Sequence, residues 1–353
     1  MTDSTTRFRT RRALLKTGLV LAAASAAAGA ALRLRDPRAA GELRFGGEAM
    51  GSYYDVRFVA PLAEARLHEA ARDAVDAALA DVDRRMSTFK PDSEVSRLNR
   101  HRMDAPFTLS EETFALLAAA RATSEASAGA FDVTAGPLVN AWGFGPGRDP
   151  RIPSAAERAE LRERVGFRLL ELDARGRAAR KAHPRMYVDL SGIAKGHGVD
   201  RAASALEALG IADYVIEVGG EVRARGRNFD GRPWRVAIEE PQPGPRRVRR
   251  VLVLADRAMA TSGDYRIYFV RAGRRYCHEI DPSRGEPVSH SLTSVSVVAP
   301  DCASADAMAT ALMVLGPRQG YAMAARGGIA AYFIERTAGG LVDRATPAYL
   351  ALG

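Results

Sequence analysis

VDLSGIAKGHGVD, residues 188–200, joins an apolar extended run to a glycine-rich turn and then to a helix-like run, with one lysine at position 195. Its reading decides the fold, because a glycine-eased passage from strand to helix is the unit from which nucleotide-binding α/β proteins are built. Two common versions are excluded. A P-loop carries its lysine after G-x-x-x-x-G, whereas Lys195 precedes Gly196, and no G-x-G-x-x-G opens a helix after a strand. What remains is a helix start whose backbone N–H groups, with Lys195 beside them, suit an anion, and a Gly192 whose carbonyl a ligand can approach closely. On this stretch alone, a plain turn with a solvated lysine is the simpler account.

Working outward, Tyr54, Val56 and Phe58 alternate within MGSYYDVRFVA (50–60) and predict a strand. After Pro61 the period changes: Leu67, Ala71, Val75, Leu79, Val82 and Met86 predict an amphipathic helix. Ser110, followed by Glu111 and Glu112, predicts a second helix ending near Gly129. Ser154 and Glu157 stand at capping-box spacing and predict a third, stopping around Gly166. From residue 186 onward β-rich runs dominate: MYVDL, YVIEV, WRVAIE, VLVLA, RIYFV, LTSVSVV and AAYFIE. Helices near 195–209 and 303–315 interrupt them, the latter stopped by Gly316 and Pro317. The mixture is neither regular βαβ nor all-β, so the expectation is a single mixed α/β (α+β) domain with two lobes. The basic runs 175–185 and 246–250 read as solvated hairpin loops.

The chain has 353 residues, 47% of them hydrophobic, and a formal charge of +9. Eight basic residues against Asp3 and Asp36 place +6 of that charge in residues 1–40, which leaves +3 for the rest and removes most of the case for a nucleic-acid surface. The same segment has the parts of an export signal: TRRALLK (10–16), an apolar run from Leu19 to about Leu32, and small residues throughout. Its arginine pair resembles a twin-arginine signal. A retained membrane anchor is the alternative, disfavoured by a run shorter than the ~20 residues a span needs. No cysteine follows the run, so a lipoprotein anchor is excluded. The expected layout is a signal and linker over 1–40 and one domain over 41–353, in the periplasm or on the outer face of the cytoplasmic membrane. Cys277 and Cys302 are too few for a disulfide framework, and sequence leaves their pairing open.

HExxH, CxxC and GxSxG are absent, so zinc hydrolysis, dithiol chemistry and a serine-hydrolase elbow drop out. In DCASADAMATALMVLG (301–316), Asp306 and Thr310 stand i, i+4 and project from one helix face. A carboxylate and a hydroxyl are hard oxygen ligands of the kind Mg²⁺ takes, although Asp306 also suits a helix N-terminus for dipole reasons. Three further segments concentrate glycine, proline and polar or aromatic residues: GAFDVTAGPLVNAWGFGP (129–146), TSGDYRIYF (261–269) and CHEIDPSRGEPVSH (277–290). Such density suits a binding loop, and a long structural loop competes with it.

Taken in order, eight segments carry a resemblance: MGSYYDV, MSTFKPDSEVSRLN, GAFDVTAGPLVNAWGFGP, VDLSGIAKGHGVD, IEVGGEVRARG, MATSGDYRIYF, HEIDPSRGEPV and SADAMATALMVLG. Over about residues 46–316 they resemble the ApbE family, the FAD:protein FMN transferases. The resemblance implies an ApbE-like flavin transferase domain that cleaves FAD, transfers FMN to a threonine or serine hydroxyl of an acceptor protein, and releases AMP. The implied acceptor is a membrane-associated or exported redox protein. The implied FAD contacts are Met50, Phe89, Ala130, Phe131, Asp132, Asp189, Lys195 and Ile280. The implied Mg²⁺ ligands are the Gly192 carbonyl, Asp306 and Thr310. Lys195 and Asp306 then take part in the chemistry, and His278 is the candidate general base. Gly192 stands where relatives commonly have alanine, and Phe89 where they often have another aromatic or polar residue. His68 and His101 lie in charged runs and read as bystanders. The alternatives are a Mg²⁺-dependent FAD pyrophosphatase and a non-catalytic periplasmic flavin-binding protein.

Overall fold

The computed structural model describes residues 40–353 except 62–63, 103–104, 148 and 243, so the expected export signal lies outside the described residues. The chain begins with β1 (Ala40–Ala49), β2 (Ser52–Pro61), α1 (Ala65–Met86), α2 (Glu94–Arg100), β3 (Phe107–Thr108) and α3 (Glu111–Ala126). It continues through α4 (Gly136–Ala141), α5 (Ala155–Arg162), β4 (Leu170–Asp173), β5 (Ala178–Lys181), α6 (Ala194–Ala208), β6 (Tyr214–Val218) and β7 (Glu221–Arg225). Then come β8 (Trp234–Glu239), β9 (Val248–Leu254), β10 (Arg257–Gly263), β11 (Tyr268–Arg271), β12 (Arg274–Cys277), β13 (Ile280–Asp281) and β14 (Glu286–Pro287). The last elements are β15 (Leu292–Ala299), α7 (Cys302–Arg326), β16 (Ala330–Thr337), β17 (Gly340–Ala345) and α8 (Pro347–Leu350).

Side-chain alternation sets the layers. Eight strands in the order β1-β2-β6-β7-β10-β15-β16-β17 form one antiparallel sheet. On one face Val56 and Phe58 of β2 and Ile216 of β6 meet Val75 and Leu79 of α1 and Val199 of α6. Farther along that face Val297, Ala331 and Phe333 meet Ala305, Ala309 and Leu312 of α7. The opposite face carries Met259, Val298, Tyr332 and Ile334, covered by the β8–β9 ribbon through Trp234, Ile238 and Leu252 and by Tyr349 of α8. β15 is therefore buried along nearly its whole length, as a strand covered on both faces should be. A second body of packing gathers α2, α3 and the three-stranded β3-β5-β4 sheet around Leu117, Val188 and Leu190.

The registers give the sheet two distinct ends. The β1–β2 turn at Met50–Gly51, the β6–β7 turn and Gly263 lie at one; Ala40, Tyr214, Arg257 and Ala299 lie at the other. The first turn is tight enough to hold Met50 at φ 51° and Gly51 at φ 69°.

Most predicted elements form where the pattern places them. The predicted stripe of α1 is buried at Ala71, Val75, Leu79, Val82 and Met86. Ser110 and Ser154 cap α3 and α5, accepting from Thr113 N and Glu157 N. Four expectations need correction. MYVDL is not a strand: Tyr187 makes one isolated bridge with Ala135, and both backbone groups of Val188 pair with the Asn99 side chain at 2.7 and 2.9 Å. The last long helix does not end at 315. It breaks at Gly316 (φ 76°) and resumes to Arg326, and His290 Nε2 donates to the Met313 carbonyl at 2.9 Å, the acceptor that Pro317 has no N–H to reach. α5 stops at Arg162, well short of Gly166. Neither basic run is simply solvated: in 175–185, Lys181 is buried in β5 and donates to the Asn99 carbonyl at 2.7 Å, and in 246–250, Arg249 pairs with Asp343 and Arg250 lies over the rings of Tyr332 and Tyr349. Cys277 and Cys302 are both buried as free thiols.

Candidate active site

The opening stretch and the Asp306 helix meet where α6 crosses α7. Gly196 N donates to Asp306 Oδ2 at 3.0 Å. A methyl on Gly196 would stand 2.6 Å from the carbonyl carbon of Cys302 and 2.8 Å from Asp306 Cβ, so only glycine permits this approach. One turn away, a methyl on Gly192 would lie 3.2 Å from Thr310 Oγ1 and 3.2 Å from the Phe131 ring. Thr310 Oγ1 is also 3.3 Å from Ser262 Oγ on β10. The structure thus brings Gly192, Asp306, Thr310 and Phe131 together from segments far apart in sequence.

Charge accumulates at the same place. Lys195 Nζ pairs with Glu221 Oε1, while Glu221 Oε2 is buried without a hydrogen-bond partner. Burial disfavours the Lys195 ammonium, but Glu221 and Asp306 outweigh it and hold the pKa above the usual lysine value. Burial lifts Asp306 to about 7, with Lys195 pulling it down and Glu221 pushing it up. Glu279 is pushed up to about 8, again by burial first, against Lys195. Three carboxylates thus surround one ammonium. His278 belongs to this group: burial and then Lys195 push it down to about 4, so the ring is neutral near pH 7. Its Nε2 lies 3.6 Å from Glu279 Oε1 and its Nδ1 is buried without a partner.

The remaining predicted residues are distributed around this centre. Met50 packs at the opening of α6, its Sδ 2.7 Å from where a methyl on Gly198 would stand. Asp189 N donates to Val133 O at 2.7 Å, and its carboxylate, raised by burial, accepts from Ser191 N at 2.9 Å. The Asp132 carboxylate is occupied by its own loop, accepting from Thr134 N, Thr134 Oγ1 and Phe167 N at 2.6–2.8 Å. These bonds tie its loop to the start of the 167–169 turn. Ile280 is buried against Leu138, Trp142 and Phe269. Phe89 stands half exposed in the α1–α2 connection. His68 and His101 bond to the backbone carbonyls of Arg44 and Ala105, as bystanders would.

The sequence reading missed Glu221, Glu279 and Asn99. The available signal was weak: only Glu221, in EVGGEV, stands out as a charge beside glycines and valines, while Glu279 in HEIDP and Asn99 in SRLNR lie among other polar residues.

A divalent cation suits this centre. Three carboxylates against Lys195 leave two negative charges uncompensated when all are ionised; burial first, and the neighbouring carboxylates after it, raise Asp306 and Glu279. Asp306, Thr310 and the Gly192 carbonyl offer one carboxylate, one hydroxyl and one carbonyl, the incomplete oxygen shell that Mg²⁺ accepts. Among the described residues no cluster of three or more His, Cys, Asp or Glu side chains is placed to hold a metal ion, so a site here depends on that mixed set.

A family model described as the ApbE family matches residues 50–333. The FAD:protein FMN transferase of Haemophilus influenzae is 42% identical over 308 residues, covering 86% of this chain and 89% of that protein. The FAD:protein FMN transferase of Vibrio cholerae is 39% identical over 311 residues, covering 87% and 92%. Among solved structures, the flavin transferase ApbE from Vibrio cholerae superposes with a TM-score of 0.81 at 38% identity, covering 88% of this chain and 99% of that one. The apo flavinyl transferase ApbE of Pseudomonas stutzeri gives 0.80 at 40% identity, covering 89% and 97%.

Proposed function

The chain belongs to the ApbE family, and from that membership we propose that it moves the FMN half of FAD onto a threonine or serine hydroxyl of an acceptor protein, with Mg²⁺ bound and AMP released. The observation that carries the reading is the buried group of Glu221, Asp306 and Glu279 around Lys195, next to the contact between Gly192 and Thr310.

In this reading the acceptor hydroxyl oxygen forms a bond to the FMN-side phosphorus, the bond from that phosphorus to the bridging oxygen breaks, and AMP leaves with that oxygen. Phosphoryl transfer is chiefly positioning and neutralisation of charge on phosphate oxygens. Mg²⁺ held by Asp306, Thr310 and the Gly192 carbonyl would supply that neutralisation. Lys195, kept charged by Glu221, presents an ammonium to the pyrophosphate. The hydroxyl proton needs an acceptor at the site; His278 Nδ1, unpartnered and neutral, is the candidate, a weak base while burial and Lys195 hold its pKa at about 4. Met50, partly buried at the opening of α6, offers apolar surface for a flavin or adenine ring, with Phe131 buried behind Gly192.

The test is mass spectrometry of an acceptor incubated with the full chain, FAD and Mg²⁺. A mass gain of one FMN, matched by AMP and lost with Asp306→Ala, supports the transfer. AMP and FMN released with no gain on the acceptor would instead identify a pyrophosphatase, and intact FAD after prolonged incubation a flavin carrier. We also propose export through the arginine-pair segment, supported by the TRRALLK and apolar-run pattern of residues 10–32. Replacing Arg11 and Arg12 by lysine should leave the protein in the cytoplasmic fraction.

A further inference from the structure

Asp200 closes the VDLSGIAKGHGVD stretch, and nothing above gives it a role. Its carboxylate reaches across to the first turn of α7: Cys302 N donates to Oδ1 at 3.0 Å and to Oδ2 at 2.9 Å, and Ala303 N donates to Oδ2 at 2.9 Å. Arg223 of β7 holds the same carboxylate at 2.5 Å. α7 already has a cap of its own, since Asp301 accepts from Ser304 N at 2.8 Å and Ser304 Oγ at 3.0 Å. Asp301 leaves the N–H groups of Cys302 and Ala303 unserved, so Asp200 completes the cap of α7 from another helix and ties the two helices together in doing so.

Its spacing shows how. Gly196 and Asp200 stand i, i+4 on α6, and Cys302 and Asp306 stand i, i+4 on α7, so each pair shares a face. The two faces are joined by reciprocal rungs: the α6 carboxylate accepts from the α7 backbone at Cys302, and the α7 carboxylate accepts from the α6 backbone at Gly196. Two rungs of opposite polarity, one turn apart, fix both the sliding and the rotation of one helix against the other. A single rung would leave the rotation free. What this registers is the Gly192 segment, just before α6, against Thr310 and the helix that carries Asp306.

We propose that Asp200, oriented by Arg223, is a positioning residue that sets the α6–α7 register and so the geometry of the Gly192, Asp306 and Thr310 oxygens toward a divalent cation. This inference rests on the metal reading of that site. It touches neither cation nor nucleotide, and acts through Cys302, Ala303 and the course of α7.

The experiment titrates the full chain with Mn²⁺ alone and follows free Mn²⁺ by electron paramagnetic resonance, with thermal unfolding in parallel. Asp200→Asn keeps the size but turns an NH₂ toward a backbone N–H or toward Arg223. Asp301→Ala is the control, removing the helix's own cap with no link to α6. Both should lower the melting temperature by similar amounts. Only Asp200→Asn should raise the Mn²⁺ half-saturation, by about tenfold, while Asp301→Ala stays within about twofold of the native chain. Equal Mn²⁺ affinity in Asp200→Asn and the native chain, or an equal loss in both variants, overturns the positioning role. No Mn²⁺ uptake by the native chain overturns the metal reading along with it. If Asp200→Asn does not fold, Arg223→Met decides: an increase of about threefold supports the proposal, and an unchanged value overturns it.

Discussion

Replacing Gly196 by alanine tests whether the helix crossing matters to the chemistry. The added methyl would sit 2.6 Å from the Cys302 carbonyl carbon and 2.8 Å from Asp306 Cβ. Neither atom is the end of a flexible side chain, so the helices must separate by roughly 1 Å to restore ordinary van der Waals contact. The Gly196 to Asp306 hydrogen bond, 3.0 Å in the structure, then passes beyond bonding distance. Alanine also improves helix propensity by ~1 kcal/mol, which offsets part of an overpacking cost of ~1–3 kcal/mol, so the loss of stability should be small. Activity should fall much further, because a 1 Å misplacement of positioning groups costs on the order of 10²-fold. Gly198→Ala, two residues along the same helix, is the comparison: its methyl meets chiefly the Met50 Sδ, a side chain with three rotatable bonds that can turn away. The assay is FMN transfer from FAD to an acceptor protein, read as flavin fluorescence of the separated acceptor, with melting temperatures measured alongside. If Gly196→Ala retains activity within about threefold of native while Gly198→Ala loses more, the crossing is not what organises the site.

Other outcomes follow from the buried groups. Glu279 and Asp306, pushed to about 8 and about 7, sit above their unfolded values, so the stability they contribute is present at low pH and lost as pH rises through those values. In chelator, resistance to urea should therefore decline from about pH 5 to pH 8 by an amount on the order of a few kcal/mol, and Mg²⁺ should restore most of it at pH 8 and little at pH 5. Stability independent of pH in chelator would contradict this. His290→Phe should destabilise the protein by about 1–3 kcal/mol, because the Met313 carbonyl loses its donor at the break in α7; an unchanged urea midpoint would show that water serves that carbonyl equally well. Asp132→Ala should cost a similar amount by orphaning the N–H groups of Thr134 and Phe167, with protease cleavage near residues 129–135 as the check.

What could be read from the chain was what depends on neighbours. The α1 stripe, the β2 alternation and the serine caps of α3 and α5 are local patterns, and each appears where the spacing puts it. The i, i+4 placement of Asp306 and Thr310 likewise needs only the helix between them. MYVDL failed because its β-rich composition says nothing of what pairs with it: the backbone of Val188 is bonded by an asparagine 89 positions earlier. The carbonyl that Pro317 leaves unserved in α7 is taken up by His290, 23 positions before it. Glu221 and Glu279 were overlooked for the same reason. A glutamate in a polar turn looks solvated until Lys195, from another element, gives it a buried partner.

The position of Ala40 governs how the molecule can be held. β1 enters the sheet at the end opposite the Met50–Gly51 turn and the Lys195 centre, and its ten residues separate the two by ~33 Å. A linker to a surface made through Ala40 therefore leaves the Lys195 end directed away from the point of attachment.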